Sequence, residues 1–336
     1  MTDTPLLSVE NLKVAFPTRR GLLVAVDGIS FALKAGEVLG IVGESGAGKS
    51  LTGAAIIRLL EPPGRIAGGT VTLKGRRIDD LPPEEFRRLR GRHVGMVFQD
   101  PLMSLNPLYT IGRQITETIL THKAMSRRAA RVRAVELLTA VGIPAAARRL
   151  DAYPHEFSGG MRQRVVIALA LAAEPELVIA DEPTTALDVS VQAQVIGVLK
   201  RLTRERGSAV ILITHDMGVI AEMADRVAVM YAGRIVEIGP VRDVIEQARH
   251  PYTRGLMGSI PSLLGARERL QQIPGAMPRL TEIPPGCAFN PRCTEAMELC
   301  RRVRPEGTPV GASVVACHLY GTADASVTGA AAEAAP

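Results

Sequence analysis

The stretch VLGIVGESGAGKS, residues 38–50, decides the fold of this 336-residue chain. Its apolar first half predicts a buried β-strand, its glycines predict a tight turn, and residues 51–60 predict a helix directly after the turn. The turn matches the pattern G-x-x-x-x-G-K-[ST], in which backbone N–H groups and a helix N-terminus converge on a phosphate chain. The sequence therefore predicts an α/β fold with a nucleotide site at this turn.

The residue types in this turn suit phosphate binding. Gly43 and Gly48 lack a Cβ, so the backbone can bend tightly and direct consecutive N–H groups towards one point. We expect Lys49 to reach the β- and γ-phosphates and Ser50 to bind Mg²⁺. A chance glycine turn is the alternative, but the strand and helix contexts are both present. The residues expected around the phosphates are Gly43, Glu44, Ser45, Gly46, Ala47, Gly48, Lys49, Ser50 and Leu51.

Composition limits the class of protein. Hydrophobic residues make up 46% of the chain and aromatic residues only 3%, so the core consists mainly of Ala, Val, Leu and Ile, as in a buried parallel sheet. The longest apolar runs fall short of the ~20 residues that a membrane-spanning helix needs, and no signal segment precedes them, so we expect a cytosolic chain. The net charge of +6 is mild and spread over Arg-rich segments, which favours solvated helix faces over a nucleic-acid site.

An acidic pair follows a second apolar strand. Residues 177–180 read LVIA, and Asp181 and Glu182 come directly after them. In a P-loop protein this is the Walker B pattern, in which Asp181 helps to hold Mg²⁺. Glu182 is then placed to accept a proton from a water that attacks the γ-phosphate. A salt-bridged pair of surface acids is the alternative.

Two further polar residues follow predicted buried strands. Gln99 comes after residues 94–98, and His215 comes after residues 209–214. Because parallel strands end at the same sheet edge, both side chains are expected to lie beside the P-loop. His215 can hydrogen-bond the terminal phosphate or the water in either protonation state. A plain strand-end cap is the alternative for Gln99.

The remaining chain completes an α/β architecture of several layers. N-terminal strands form an antiparallel β subdomain, in which Phe16 either stacks on an adenine or packs against the sheet. Helical patterns from Ile111 onwards predict an insert of about 105–173, and a hairpin is predicted at residues 227–238 with a helix at 243–250 after it. We place the nucleotide-binding domain at 1–250, a small loop-rich region at 251–320 and a disordered tail at 321–336.

Residues 157–164, FSGGMRQR, resemble the signature motif of ABC ATPases. Ser158, Gly159 and Gly160 open a predicted helix, which makes a second anion-binding N-terminus. Met161 stands where the strict motif has Gln, and this leaves the backbone donors and the hydroxyl intact. The resemblance spans about residues 6–250, with its motifs in the family's order.

The resemblance implies a fold and a set of roles. It implies a P-loop NTPase of ABC type with a mainly parallel sheet, in which ATP is held between the P-loop of one subunit and the signature helix of another. It implies that Gln99 is the Q-loop residue and a third Mg²⁺ ligand, that Ala186-Leu187-Asp188 is the D-loop, that His215 is the switch histidine, and that Phe16 stacks on the adenine.

The C-terminal part resembles that of oligopeptide/dipeptide importer ATPases. The resemblance rests on HPYTRGL at 250–256, SIP at 259–261, IPG at 273–275 and four cysteines. Some members of that family hold a four-iron, four-sulfur cluster with these cysteines, which here are Cys287, Cys293, Cys300 and Cys317. Zn²⁺ and unligated thiols are the alternatives, and His318 is a possible substitute ligand. The Pro-rich residues 273–285 are expected to form a loop.

The resemblance implies the ATP-hydrolysing subunit of a peptide importer. The implied location of this subunit is the cytoplasmic face of the inner membrane. Its implied partners are a second ATPase subunit, with a paralogue favoured, and two transmembrane permease subunits. An extracytoplasmic solute-binding protein is an indirect partner. One alternative is a soluble ABC ATPase that acts on nucleic acid or ribosomes, although the chain lacks the long insertions or second ATPase unit of such relatives. A redox-sensing role for the cysteine region is the other alternative.

Overall fold

The computed structural model describes residues 4–19, 21–184, 189–259 and 272–321, apart from the side chains of residues 189, 190 and 206. Within these ranges two β-sheets and their covering helices form the molecule. No helix in the described ranges is long and apolar enough to cross a membrane. Outside the described residues lie positions 322–336 of the tail predicted at 321–336, the D-loop residues 186–188, and residues 260–261.

The smaller sheet is the predicted antiparallel β subdomain. Its strand order is β2-β1-β4-β5, and every pair is antiparallel. The first two strands are long, because they pair with each other from Leu7–Leu33 out to a turn at Thr18–Gly21. The strands are β1 (Leu7–Thr18), β2 (Gly21–Leu33), β4 (Arg65–Leu73) and β5 (Arg76–Arg77).

The larger sheet carries the P-loop in its middle. Its order is β11-β12-β10-β9-β3-β8-β7-β6, and the five strands from β9 to β6 are parallel. Parallel strands end at one edge, so the residues after β3, β6, β7 and β8 lie near each other. The strands are β3 (Val38–Val42), β6 (Val94–Val97), β7 (Leu177–Asp181), β8 (Ala209–Ile213), β9 (Arg226–Tyr231), β10 (Arg234–Pro240), β11 (Thr308–Val310) and β12 (Ser313–Val315).

The central strand β3 is buried on both faces. Val38 and Val42 pack in the cluster that contains the helical insert, whereas Leu39 and Ile41 pack in the cluster beneath the antiparallel sheet. This alternation follows from the two-residue period of a strand. The P-loop is therefore anchored to the best-packed part of the chain.

The helix after the P-loop, α1 (Lys49–Ile56), is shorter than the predicted 51–60. Arg58 adopts a left-handed backbone conformation with φ of 52°, and the Leu59 N–H donates to the Ala54 carbonyl at 2.8 Å. Such a turn ends a helix, and two prolines at 62 and 63 prevent it from resuming. The next helix, α2 (Pro83–Leu89), begins at a proline, whose missing N–H costs nothing in the first turn.

The helical insert contains the predicted helices and two short ones that the sequence analysis did not predict. In α4 (Ile111–His122), Ile111, Ile115 and Ile119 form a buried stripe at a spacing of four residues. Thr110, Ser126 and Ser158 each accept a backbone N–H at a helix start. The other helices here are α3 (Pro101–Ser104), α5 (Arg127–Ala140), α6 (Ala146–Arg149) and α7 (Gly159–Ala170).

The helix predicted at 243–250 is wrong in its bounds. The structure has α10 (Val241–Glu246), and His250 instead caps the next helix, α11 (Pro251–Gly258), where its Nδ1 accepts the Tyr252 N–H at 3.0 Å. Burial lowers the pKa of His250 to about 3, so the imidazole is neutral and can accept. The remaining helices are α8 (Val189–Arg206), α9 (Met217–Met223) and α12 (Glu298–Arg302).

The C-terminal region is built onto the larger sheet. The hairpin of β11 and β12 pairs with β10, with Val315 opposite Glu237 and Val314 opposite Ile238. Residues 272–285 contain no helix or strand, in agreement with the predicted loop. Tyr231, Tyr252 and Phe289 form an aromatic cluster beneath this loop, with ring centroids 4.7–5.4 Å apart. The region after residue 250 therefore packs against the sheet edge that carries the P-loop.

Candidate nucleotide site

Steric contacts explain the glycines of the P-loop. Gly43 and Gly48 have φ angles of 151° and 100°, which side chains with a Cβ rarely adopt. A Cβ on Gly43 would lie 2.2 Å from the Met230 carbonyl oxygen, and one on Gly48 would lie 3.1 Å from the Ala25 carbonyl oxygen. The loop is thus pressed against two neighbouring strands, and only glycine fits at these two positions.

Lys49 lies inside the loop. Its ammonium donates to the carbonyl oxygens of Gly43 at 2.9 Å and Glu44 at 3.1 Å, and the residue is 6% exposed. Burial lowers the pKa of this ammonium, while the carboxylates of Glu182, Asp181 and Glu44 act in the opposite direction. Bound phosphates are a stronger partner than two carbonyls for this charge.

Two of the three predicted Mg²⁺ ligands meet at the start of α1. Ser50 Oγ donates to Asp181 Oδ1 at 3.0 Å, across 131 residues of sequence. Asp181 is buried, and burial raises its pKa although the Ser50 hydrogen bond opposes this. A hydroxyl and a carboxylate are oxygen ligands of the kind that Mg²⁺ takes beside nucleotide phosphates, so these residues fit that ion.

Glu182 lies between the other two strand-end residues. Gln99 Nε2 donates to Glu182 Oε2 at 3.2 Å, and His215 Nδ1 lies 3.5 Å from Glu182 Oε1. Glu182 also has a φ of 45°, a strained value for a residue with a side chain, and such strain clusters at functional sites. The structure therefore brings Gln99, Glu182 and His215 into one group. The role of Gln99 as a Mg²⁺ ligand stays a prediction, since its amide contacts Glu182.

The predicted adenine residue occupies a packed position. Phe16 is half-buried on β1 opposite Leu23 and packs against the core under the antiparallel sheet. Its ring edge also touches the backbone at Gly64, because a Cβ there would lie 2.6 Å from Phe16 Cε1. The contact to the sheet, one of the two alternatives, is present, and adenine stacking stays a prediction.

The signature residues form an exposed helix N-terminus. Ser158 caps α7 by accepting the Met161 N–H at 3.3 Å, and Ser158 and Gly159 are exposed. A Cβ on Gly160 would lie 2.4 Å from Val191 Cγ1 of α8, so this glycine lets two helices approach closely. The surface at Ser158 and Gly159 is open to a partner. Asp188, with Ala186 and Leu187, lies outside the described residues.

The four cysteines surround one small cavity, which His250 and His318 also line. None of the four forms a disulfide. Burial raises the pKa of the Cys287 thiol to about 11, and it also raises the pKa values of Cys293 and Cys317. In the described part of the chain, no group of three or more His, Cys, Asp or Glu side chains is arranged to hold a metal ion. The iron–sulfur and zinc predictions therefore receive no support from a preformed metal site.

One polar atom at this cavity is nevertheless suited to a ligand. His250 Nε2 is buried and finds no hydrogen-bond partner among the described residues, and because Nδ1 accepts, Nε2 carries the proton. By contrast, His318 Nε2 lies 2.8 Å from the Val303 carbonyl. Cysteine thiolates bind both Zn²⁺ and iron–sulfur clusters, so the side chains around this cavity are of the type that either group takes.

Two residues of the C-terminal region cover the P-loop, and no sequence motif predicted either contact. Arg292 Nη1 donates to both carboxylate oxygens of Glu44, and the hydroxyl oxygen of Tyr252 accepts the Glu44 N–H. These pairs are separated by more than 200 residues, and no spacing rule links them. Arg292 had no motif of its own, and Tyr252 stood out only within HPYTRGL.

The phosphate loop on a parallel strand, together with an Asp–Glu pair at the end of β7, one strand removed in the same sheet, defines a P-loop ATPase. The ABC transporter family matches residues 26–185, and the family described as the oligopeptide/dipeptide transporter C-terminal region matches residues 236–300. An oligopeptide transport ATP-binding protein of Salmonella typhimurium is 51% identical over 300 residues, covering 89% of each chain. A dipeptide transport ATP-binding protein of Bacillus subtilis is 50% identical over 303 residues, covering 90% of each.

Solved structures of ABC transporter ATP-binding cassettes have the same fold as this chain. An ATP-binding cassette in a dimeric post-hydrolysis state with ADP and Pi has a TM-score of 0.64 at 29% identity, covering 70% of this chain and 99% of the other. An ABC transporter component of Clostridium perfringens has a TM-score of 0.63 at 28% identity, covering 73% and 92%. The chain belongs to the ABC transporter ATP-binding proteins that carry the oligopeptide/dipeptide transporter C-terminal region. The resemblance stated from the motifs, the fold class and the ATPase activity are thereby confirmed.

Proposed function

We propose that the chain is the ATP-hydrolysing subunit of an ABC importer that takes up peptides. The observation that carries this is the meeting of Ser50 with Asp181, and of Glu182 with His215, at the mouth of the P-loop. The peptide substrate is supported by the relatives, which are named oligopeptide and dipeptide transport ATP-binding proteins. Their names favour the importer over an ATPase that acts on nucleic acid.

In this proposal, the side chains at the strand ends have separate roles in hydrolysis. The P-loop N–H groups and Lys49 hold the phosphates, and Ser50 and Asp181 hold Mg²⁺, which neutralises charge on the phosphates when bound. Glu182 accepts a proton from the attacking water, because its carboxylate is only partly exposed and is held on both oxygens. Gln99 and His215 hold that carboxylate in place.

We infer that the signature helix serves the nucleotide of a second subunit. Ser158 and Gly159 are exposed at the start of a twelve-residue helix, and such an end attracts the phosphates of ATP. Asp188 is proposed to lie at the same junction, and Phe16 to stack on the adenine. The second subunit is either an identical chain or, as we propose, a paralogue. A solved relative is dimeric after hydrolysis.

An exposed apolar surface supports docking on a membrane subunit. Phe98, Leu102, Met103 and Leu108 are 41–86% exposed and flank Gln99 in sequence. Apolar side chains concentrated in one short surface segment mark interaction sites. We propose that this surface, the Q-loop surface, contacts one of two permease subunits at the cytoplasmic face of the inner membrane, with a solute-binding protein on the other side.

We also propose that the cysteines hold a four-iron, four-sulfur cluster that staples the loop-rich region of residues 251–320, in which all four of them lie. Four thiols around one cavity, and a His250 Nε2 that has no partner among the described residues, support a bound group there. The lack of a short C-x₂₋₄-C spacing favours a cluster over Zn²⁺. Protein purified without oxygen is expected to be brown and to contain about four irons and four sulfides. A colourless preparation with zinc or no metal would contradict this.

Affinity purification of the full chain from detergent-solubilised membranes tests the importer proposal. Two permease proteins and a second ATPase subunit are expected in the eluate. Met103→Glu, in the Q-loop surface, is expected to lose them, whereas Val132→Glu is the matched control, since Val132 is 55% exposed on a different helix. Recovery of nucleic acid or ribosomes in place of membrane proteins would overturn the proposal.

A further inference from the structure

The C-terminal region reaches the P-loop at Glu44. Glu44 follows Gly43, the first glycine of the loop, and its side chain is 29% exposed. Arg292 Nη1 lies 3.0 and 3.1 Å from its two carboxylate oxygens. The Arg292 side chain is only 7% exposed, so this ion pair is shielded from water and salt. It is unlike the exposed ion pairs that contribute little.

Arg292 is itself fixed from several sides. Its Nε donates to the Pro274 carbonyl at 2.8 Å and its Nη2 to the Gly275 carbonyl at 3.3 Å. Nη1 also donates to the Tyr231 hydroxyl at 3.3 Å. All three nitrogens of the planar guanidinium thus have acceptors, which fixes the side chain beside the Glu44 carboxylate.

Two more contacts from the same region hold the loop. The Glu44 N–H donates to the hydroxyl of Tyr252, which is fully buried, at 3.0 Å. A Cβ on Gly46 would lie 2.9 Å from Met277 Cε. Glu44 is therefore held by its backbone and its side chain, and both partners come from residues after 250.

The chemistry of the loop gives this contact a purpose. The P-loop is the proposed site of the negatively charged phosphates, yet it contains a carboxylate at Glu44. The negative charge of Glu44 is close enough to act on the pKa of the Lys49 ammonium, against the lowering by burial. Unpaired, it would repel the phosphates. We propose that Arg292 is a positioning residue of the nucleotide site, which neutralises Glu44 and holds its carboxylate away from the incoming phosphates. This inference rests on the proposed ATP site.

Arg292→Gln in the full chain tests the role. The dissociation constant for ATP with Mg²⁺, measured by calorimetry, and the KM are expected to rise about tenfold, because a shielded ion pair is broken beside an anion site. The kcat at saturating ATP is expected to change less than twofold, since Arg292 touches no reacting atom. Arg302→Gln is the control, because Arg302 is 72% exposed and, within the described part of the chain, forms its ion pair with Glu298 on its own helix.

A second substitution separates charge from folding. In the double variant Arg292→Gln with Glu44→Gln, the repelling charge is gone, and affinity is expected to return to within about threefold of wild type. Arg292→Lys, which keeps the charge, is also expected to bind within about threefold. Wild-type affinity in Arg292→Gln, or a double variant as weak as the single one, overturns the inference.

Two further outcomes decide the remaining cases. If Arg292→Gln does not fold, Glu44→Gln alone is informative: affinity equal to or tighter than wild type supports the inference, and a tenfold loss overturns it. Lys49→Ala is measured in parallel. If that variant binds ATP as wild type does, the proposed nucleotide site is wrong and the inference falls with it. If Lys49→Ala loses ATP binding but Arg292→Gln binds ATP as wild type does, the inference about Arg292 is overturned and the nucleotide site stands.

Discussion

Replacing Glu182 with Gln isolates the step in which water attacks the phosphate. The amide keeps the size of the side chain and one oxygen, which can still accept the 3.2 Å hydrogen bond from Gln99. It cannot accept a proton at neutral pH, so the general-base contribution is lost. That contribution is about a hundred- to ten-thousandfold in rate, or about 3 to 5 kcal/mol of barrier.

ATP binding is expected to persist in Glu182→Gln. The carboxylate lies close enough to raise the pKa of Lys49, so its removal deletes a negative charge beside the phosphates. Affinity for ATP should therefore be unchanged or higher. The kcat for phosphate release and the dissociation constant are measured on the same preparation, with its permease partners present.

A matched control separates catalysis from general charge effects. Glu205→Gln makes the same change in an acid on α8 that is 60% exposed and 4.0 Å from Arg201, so both constants should stay at wild-type values. Our reasoning about the base is refuted if Glu182→Gln hydrolyses ATP within a few-fold of the wild-type rate, or if it loses ATP binding together with turnover.

Three other changes probe the site and its surroundings. Asp181→Asn should abolish Mg²⁺-dependent hydrolysis but raise the melting temperature of the nucleotide-free protein at pH 7. Burial raises the pKa of Asp181, so its ionised form destabilises the fold. The increase in melting temperature should shrink as the pH falls towards the ordinary aspartate range, where the carboxyl group is protonated. Gly43→Ala should lower the stability by about 1–3 kcal/mol in a denaturant titration, because the added Cβ lies 2.2 Å from the Met230 carbonyl oxygen. Met103→Glu should reduce binding to permease subunits at least tenfold in a pull-down while the stability of the chain itself stays within about 0.5 kcal/mol, as Met103 is 86% exposed.

Each of these expectations has a contrary result. A melting temperature for Asp181→Asn that is lower than wild type at pH 7 would show that the carboxylate is stabilised by contacts, not strained by burial. Gly53→Ala serves as the control for Gly43→Ala, because its Cβ would meet side-chain carbons of Ile213 and Ile179 at 3.0–3.1 Å and not a backbone oxygen at 2.2 Å. Equal stability losses in both variants would contradict the backbone argument. Unchanged permease binding by Met103→Glu would remove the Q-loop surface from the interface.

The sequence by itself determined the parts of the site whose geometry is local. A glycine turn between an apolar strand and a helix permits one backbone path, so the phosphate loop could be predicted from residues 43–50. Parallel strands end at one edge of a sheet, and this rule alone predicts that Gln99, Glu182 and His215 lie close together. The structure has both contacts of Glu182, with Gln99 and with His215. Their separation in the chain did not matter, because the sheet order brings strand ends together.

Only the tertiary structure decided what covers the P-loop and how the C-terminal region is attached. The contact of Arg292 with Glu44 joins positions 248 residues apart, and β12 adds to the sheet by pairing with β10. Neither follows from periodicity, because an arginine in a three-residue 3-10 turn such as Asn290–Arg292 has the same local pattern whether it faces water or a carboxylate. Side-chain partners across such distances depend on how whole layers pack, and that packing is a property of the folded chain alone.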